Sequence, residues 1–250
     1  MTQVGSILHT ISYMALPLLL AMVLHEYAHG RVAAYYGDPT AQEAGRLTLN
    51  PLAHIDPFGT IVLPLLCLIF PTGVILGYAK PVPVNQVNFR DPRRHMAIVS
   101  AAGPLTNLVL AVVSAMIMAG IMLLDPTVGN AISERGTLIA RSDLAGMILV
   151  PVAVMCMYSV LINTMLMFFN LIPIPPLDGG RILMNVLPEK HGAVLGRLEP
   201  YGMLIIFFLV VMDPYLHVFR TLMSPVTLLF QTLLAPASTL STGLLPTLGA

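Results

Sequence analysis

The sequence predicts an all-α polytopic membrane protein, with about five to six membrane segments and a small embedded β or re-entrant element between the first and second full spans. Three observations carry that expectation. The 250-residue chain is 56% hydrophobic and only 10% charged, against about 25% charged in a soluble globular domain, so it lacks the polar surface to cover a globule. Its apolar residues come in long runs, several of them near the roughly 20 residues a helix needs to cross hydrocarbon. Short segments rich in Pro, Gly and charge separate those runs, and none is wide enough for a separate soluble domain. The whole chain therefore reads as one membrane domain, with a core at residues 7–185 and accessory segments at 200–240. Composition also excludes some functions. Twelve basic and twelve acidic residues cancel, which argues against a nucleic-acid partner. Cys67 and Cys156 both sit in apolar runs and read as small hydrophobes, not as a disulfide or ligands.

Ile7–Tyr36 is the first apolar helix. No Lys or Arg precedes Arg31 and no cleavage site is clear, so it reads as a retained helix and not as a signal peptide. Gly37-Asp38-Pro39 ends it. Residues 40–57 are polar and turn-rich, with "GRLTLNP" alternating as a short strand does. Phe58–Ala79 is apolar but interrupted by Pro64 and by Pro71-Thr72-Gly73. Residues 80–94, "KPVPVNQVNFRDPRR", hold four basic residues and belong on the cytoplasmic side by the positive-inside rule. Met96–Leu124 spans, a polar loop follows at 125–143, and Leu144–Ile172 spans again into "NLIPIPPLDGGR" at 170–181. Tyr201–Phe219 is a further span, interrupted late by Asp213-Pro214, and 224–236 is apolar but short.

Topology constrains the middle of the chain. If Phe58–Ala79 crosses the membrane, the chemically rich ends at 25–29 and 170–181 face opposite sides. If it re-enters and returns, those ends share the cytoplasmic side, as do loops 37–57 and 80–94. The second arrangement satisfies both the charge rule and the meeting of the two motifs, so an embedded, re-entrant 58–79 is expected.

Ionisable groups in hydrocarbon are costly and point to function. "HEYAH" at 25–29 fits H-E-x-x-H. On a helix, His25 and His29 lie one turn apart on one face, so both imidazoles can bind one Zn²⁺. Glu26, next to the first of them, is placed to act as general base toward a water. A polar cluster closing a helix contact, or a proton relay, is the alternative for these three residues. A catalytic zinc site wants a third protein ligand. Asp178 in "PIPPLDGGR" is the best candidate, because Gly179-Gly180 permits a tight turn that returns its carboxylate toward the core. An ordinary turn aspartate fits those residues equally.

Taken together, "HEYAHG", "GPLTN" at 103–107 and "NLIPIPPLDGGR" resemble, in content and order, the site-2 protease family of intramembrane zinc metalloproteases. "GRLTLNPLAHIDPFGT" and "GYAKPVPVN" are further similar to its compact members without a PDZ domain, for which this chain has no room. The resemblance covers residues 20–185. It implies that His25, His29 and Asp178 bind one Zn²⁺ and that Glu26 is the catalytic base. It also implies that Asn107 and Asn170 lie near the site and position the substrate strand or polarise its carbonyl. By themselves the two asparagines read as structural, Asn107 satisfying backbone opened by Pro104 and Asn170 ending its helix. His54 reads as a gate or as a loop histidine bonded to its own turn, and His9, His95, His191 and His217 lack ligand spacing. The activity so implied is hydrolysis of peptide bonds in or beside transmembrane segments of single-span proteins or signal-peptide remnants, in the lipid bilayer of the cell (inner) membrane. The rival classes are a metal or proton transporter and a non-catalytic scaffold for membrane helices; the lack of an inverted repeat weighs against transport. The oligomeric state is not legible.

Overall fold

The computed structural model describes residues 3–62, 77–132, 143–212, 215 and 217–240. Helices follow one another as α1 (Gln3–Tyr35), α2 (Thr40–Glu43), α3 (Pro92–Leu124), α4 (Thr127–Ala131), α5 (Leu144–Asn170), α6 (Asp178–Val186), α7 (Glu189–Gly196), α8 (Gly202–Val211) and α9 (Val218–Leu240). Among the described residues, four helical segments are long and apolar enough to cross a membrane: Thr10–Tyr35, Pro92–Leu124, Gly146–Asn170 and Glu189–Val211. Met223–Pro236 is a shorter apolar helix. Against the five to six segments expected for the whole chain, the described residues hold four. The fourth begins at Glu189, well before the expected Tyr201, while Asp213-Pro214 and most of Phe58–Ala79 lie outside the described residues.

Long runs of Leu, Ile, Val, Met and Ala become helices because a helix satisfies its own backbone polar groups where water is scarce. Leu16, Leu19, Leu105, Val109 and Met116 stay exposed on these helices, the pattern of side chains that face lipid. The end of α1 follows its sequence signal. Gly37 adopts φ +100°, its N–H returns to the Ala34 carbonyl (3.1 Å), and Asp38 N–H returns to Ala33 (3.0 Å). That pairing satisfies the last carbonyls of the helix, and a left-handed residue is needed to make it.

The chain forms two compact units. The first comprises Met1–Ala21, Asn107–Met165 and Pro225–Ala250. Its core joins Met118, Met122, Val128, Ala153 and Val160 to Phe230 and Leu234. Hydrogen bonds between helices add to the packing: Ser114 Oγ to Ser159 Oγ at 2.8 Å and Asn107 Nδ2 to Asn163 Oδ1 at 2.9 Å, the polar contacts that hold helices together where burial supplies little drive. The second unit comprises Met22–Thr106 and Leu166–Ser224. It has one cluster around Ala33, Phe89, Met96 and Val99, and another around Ile172, Leu177, Ile206 and Val210.

The embedded β element is not found: among the described residues there is no strand. "GRLTLNP" bends instead. Gly45 sits at φ +65°, Asn50 N–H donates to Thr48 Oγ1, and Asn50 Oδ1 accepts from Leu52 N–H to start a 3-10 turn at Pro51–His54. Side chains that bond their own backbone compete with a strand ladder, and alternation alone did not outweigh that. The two ends of the 60–77 stretch do meet. Tyr78 N–H donates to the Gly59 carbonyl (3.1 Å) and Lys80 N–H to His54 (2.8 Å).

Candidate metal centre

Three of the expected residues converge in the second unit. His25 and His29 project from the same face of α1, their Nε2 atoms 3.1 Å apart. Asp178 opens α6, and its Oδ2 lies 3.2 Å from His25 Nε2 and 3.3 Å from His29 Nε2. All three residues are buried. Among the described residues they are the one group of His, Cys, Asp and Glu side chains spaced to share an ion.

Local sequence explains how Asp178 arrives. Proline-rich backbone after α5 turns the chain, and Gly179 and Gly180 let α6 start hard against it. A Cβ at Gly179 would run into the Leu171 carbonyl, and one at Gly180 into the backbone at Ile174 and Pro175. The orientation of His29 is set from α3. Its Nδ1 is 2.7 Å from the Val99 carbonyl, which can only accept, so Nδ1 carries a proton and Nε2 is the ring atom left for the cluster, the one that offers a lone pair when the ring is neutral.

The arrangement fits a cation in two respects. Asp178 Oδ2 is buried with no hydrogen-bond donor aligned on it, an expensive state for a carboxylate left to itself. The triangle of side 3.1–3.3 Å also matches the roughly 3.3–3.4 Å between neighbouring ligand atoms of a tetrahedral zinc at 2.0–2.1 Å. The cluster is bounded by α3 at a residue without a side chain. A Cβ on Gly103 would lie 2.6 Å from His25 Nε2 and closer still to His29 Nε2. Any other residue there would fill the space the lone pairs face.

Glu26 lies outside the triangle, its Oε2 accepting a hydrogen bond from Val82 N–H at 2.9 Å. Both asparagines have helix partners, Asn107 on two other helices and Asn170 on its own. Asn107, fully buried, donates to the Ala21 carbonyl (3.4 Å) and to Asn163, and Asn170 donates back to Leu166 (3.0 Å). His54 is the loop histidine of the two readings offered for it, its Nε2 donating to the Thr48 carbonyl of its own turn (2.9 Å). Sequence reasoning missed Gly103, Val99 and Val82. Gly103 had a signal, since a Gly before Pro104 in an apolar helix calls for a packing reason. The other two act through backbone atoms and had none.

These features define a helical protein with candidate membrane spans and a buried His-His-Asp cluster suited to a metal ion. Residues 13–212 match the model of peptidase family M50, and the chain belongs to that family, the one to which its three motifs pointed. It is 36% identical over 199 residues to "Putative zinc metalloprotease YwhC" of Bacillus subtilis (strain 168), covering 80% of each chain. It is 31% identical over 194 residues to "Putative zinc metalloprotease Rip2" of Mycolicibacterium smegmatis (strain ATCC 700084 / mc(2)155), covering 77% of this chain and 64% of that one. The namesake from Mycobacterium tuberculosis (strain ATCC 25618 / H37Rv) is 30% identical over 78% of this chain and 63% of its own. No solved structure matches significantly.

Proposed function

We propose that this chain is a zinc-dependent intramembrane endopeptidase in which His25, His29 and Asp178 hold one Zn²⁺ and Glu26 is the general base. The observation that carries the reading is the buried triangle of two imidazole nitrogens and a carboxylate oxygen with tetrahedral spacing. A zinc ion bound there supplies a water of pKa about 7 and a Lewis acid for the scissile carbonyl. Glu26 takes the proton of the attacking water and returns it to the leaving amine. The Val99 carbonyl keeps His29 in the tautomer that presents Nε2, and Gly103 keeps the space in front of both rings open.

The substrates proposed are single-span membrane proteins or signal-peptide remnants, cut in or beside the transmembrane segment, with Asn107 and Asn170 in contact with the substrate chain. Asn107 would have to exchange its present helix-to-helix bonds to serve. We place the protein in the cell (inner) membrane with its site toward the cytoplasm. The hydrogen bonds joining Gly59 to Tyr78 and His54 to Lys80 favour that topology. A full crossing would separate the ends of 60–77 by roughly 30 Å, whereas a segment that re-enters and returns leaves them side by side.

The test is Glu26→Gln in purified protein reconstituted with single-span membrane proteins. Cleavage read by mass spectrometry should vanish while zinc stays bound and the protein stays folded. Cleavage that persists would remove the base assignment, and zinc flux into liposomes that survives the substitution would favour transport.

A further inference from the structure

The carboxylate of Glu26 is tethered by a segment far away in sequence. Its Oε2 accepts from the backbone N–H of Val82 at 2.9 Å, within Lys80-Pro81-Val82-Pro83. Proline has no N–H, so Val82 carries the one backbone donor between Lys80 and Val84.

The segment is clamped on both sides of that donor. On one side, Lys80 N–H donates to the His54 carbonyl at 2.8 Å, and Arg46 Nη2 donates to the Lys80 carbonyl at 2.7 Å. On the other, Asn85 N–H and Asn88 Nδ2 each donate to the Asp38 carboxylate at 2.7 Å. Asp38 stands just past the end of α1, the helix that carries Glu26. Between the clamps, the buried Val82 side chain lies against Gly30, where an added Cβ would come within 3.1 Å of Val82 Cγ1. A residue as small as Gly at position 30 lets the segment press onto α1 one turn beyond Glu26.

We propose that Val82 is a positioning residue, whose proline-isolated amide, clamped by Arg46 and Asp38, fixes the Glu26 carboxylate for proton transfer. This rests on reading Glu26 as the base. A glutamate has three side-chain torsions to order before it can act. A backbone N–H to a carboxylate is a charge-assisted bond of the stronger kind, and it binds one oxygen while the carboxylate keeps a second for the proton. The flanking prolines remove other amides that could compete, and they stiffen the segment as well.

Two measurements on the full-length, zinc-loaded protein test this. In hydrogen–deuterium exchange, Glu26→Ala should speed exchange of the Val82 amide at least about tenfold, because its acceptor is gone. Unchanged exchange would overturn the contact. The second measurement follows an internally quenched apolar peptide of about 20 residues in detergent micelles, comparing Val82→Ala, which keeps the amide, with Val82→Pro, which deletes it. Val82→Pro should lower kcat about tenfold to hundredfold with KM within about twofold and zinc content unchanged, and Val82→Ala, which loses packing but keeps the amide, should retain most of the kcat that Val82→Pro loses. Equal kcat values for the two, or a loss confined to KM, would overturn the proposal. If Val82→Pro does not fold, Arg46→Ala should reduce kcat and Arg46→Lys restore most of it, and failure of that rescue counts equally against the idea. Glu26→Gln run alongside separates the two levels. If it still cleaves, the base assignment is wrong; if it is inactive while the Val82 variants match, only the positioning role is wrong.

Discussion

Two aspartates of the second unit, Asp38 and Asp178, are both buried, and they are buried in opposite ways. Asp38 is fully supplied. Its two oxygens accept from Thr40 N–H (3.2 Å), Thr40 Oγ1, Asn85 N–H (2.7 Å) and Asn88 Nδ2 (2.7 Å). Asp178 meets two imidazoles, and its Oδ2 has no donor aligned on it. Both sit at the edge of a helix and both follow a turn-forming sequence, so burial and position do not tell them apart. The supply of hydrogen bonds does. A carboxylate that the protein satisfies by itself is built to hold loops together, and one left short amid nitrogen lone pairs is built for something the chain does not contain.

The largest expected effect tests the undersupplied partner. Asp178→Asn should weaken zinc binding by more than the roughly 10–100-fold that loss of an outer-shell partner costs, since in the proposed site Asp178 is a charged ligand. The metal-free protein should melt at the wild-type temperature or slightly above it, because an amide can donate to an imidazole nitrogen where the buried carboxylate can only accept. Zinc titration with a competing chelator and melting curves in EDTA read the two quantities. A variant that binds zinc normally would place Asp178 with Asp38, among structural carboxylates.

Asp38→Ala should do the reverse. It removes the acceptor that Thr40, Asn85 and Asn88 share, at a cost of about 1–3 kcal/mol in stability. Chemical denaturation should show that loss, while one zinc per chain still binds to the folded fraction. Zinc lost in proportion beyond unfolding would mean that the loop clamp also shapes the cluster.

Gly103→Ala comes next. Its Cβ would overlap the Nε2 atoms of both histidines, and overpacking of that kind costs about 1–3 kcal/mol, or about tenfold to hundredfold in zinc affinity if it is borne by the bound state. Unaltered affinity would show that α3 moves aside easily and that the glycine serves helix packing alone.

The sequence made one side of this comparison far more legible than the other. H-E-x-x-H on an apolar helix is readable because a fixed spacing on a known periodicity puts two side chains on one face, and charge in hydrocarbon demands a reason. Asp178 was readable only as one of two equal options, since nothing local says whether an aspartate before Gly-Gly turns inward. The helices were legible from apolar runs, with ends within a few residues wherever Gly or Pro marks them, as at Gly37. The strand expected in 45–51 was not formed, because local bonds from Thr48 and Asn50 won over alternation. Asp38, the Val99 carbonyl and the Val82 amide left no trace in composition or spacing. Each depends on a partner tens of residues away, and two of the three act through the backbone, which every residue possesses.

The smallest expected effect is the pH response of Asp38. Burial pushes its carboxyl up, but the bonds from the Thr40 and Asn88 side chains and from the Asn85 and Thr40 amides pull it down further, so it ends below the usual carboxylate range. The folded protein therefore binds this proton less tightly than the unfolded chain, where the group titrates near about 3.9. Its contribution to stability is complete above that value and is lost as pH falls through the lower folded value. Melting temperatures of the EDTA-treated protein, measured from pH 6 down to pH 3, should fall more steeply for wild type than for Asp38→Asn, which has no proton to gain. Metal-free protein is the right form because acid release of bound zinc would otherwise add its own slope. Parallel curves would mean that the four donors keep no more hold on a charged Asp38 than on a neutral one, and the loop would then owe its order to packing around Phe89 and Val84.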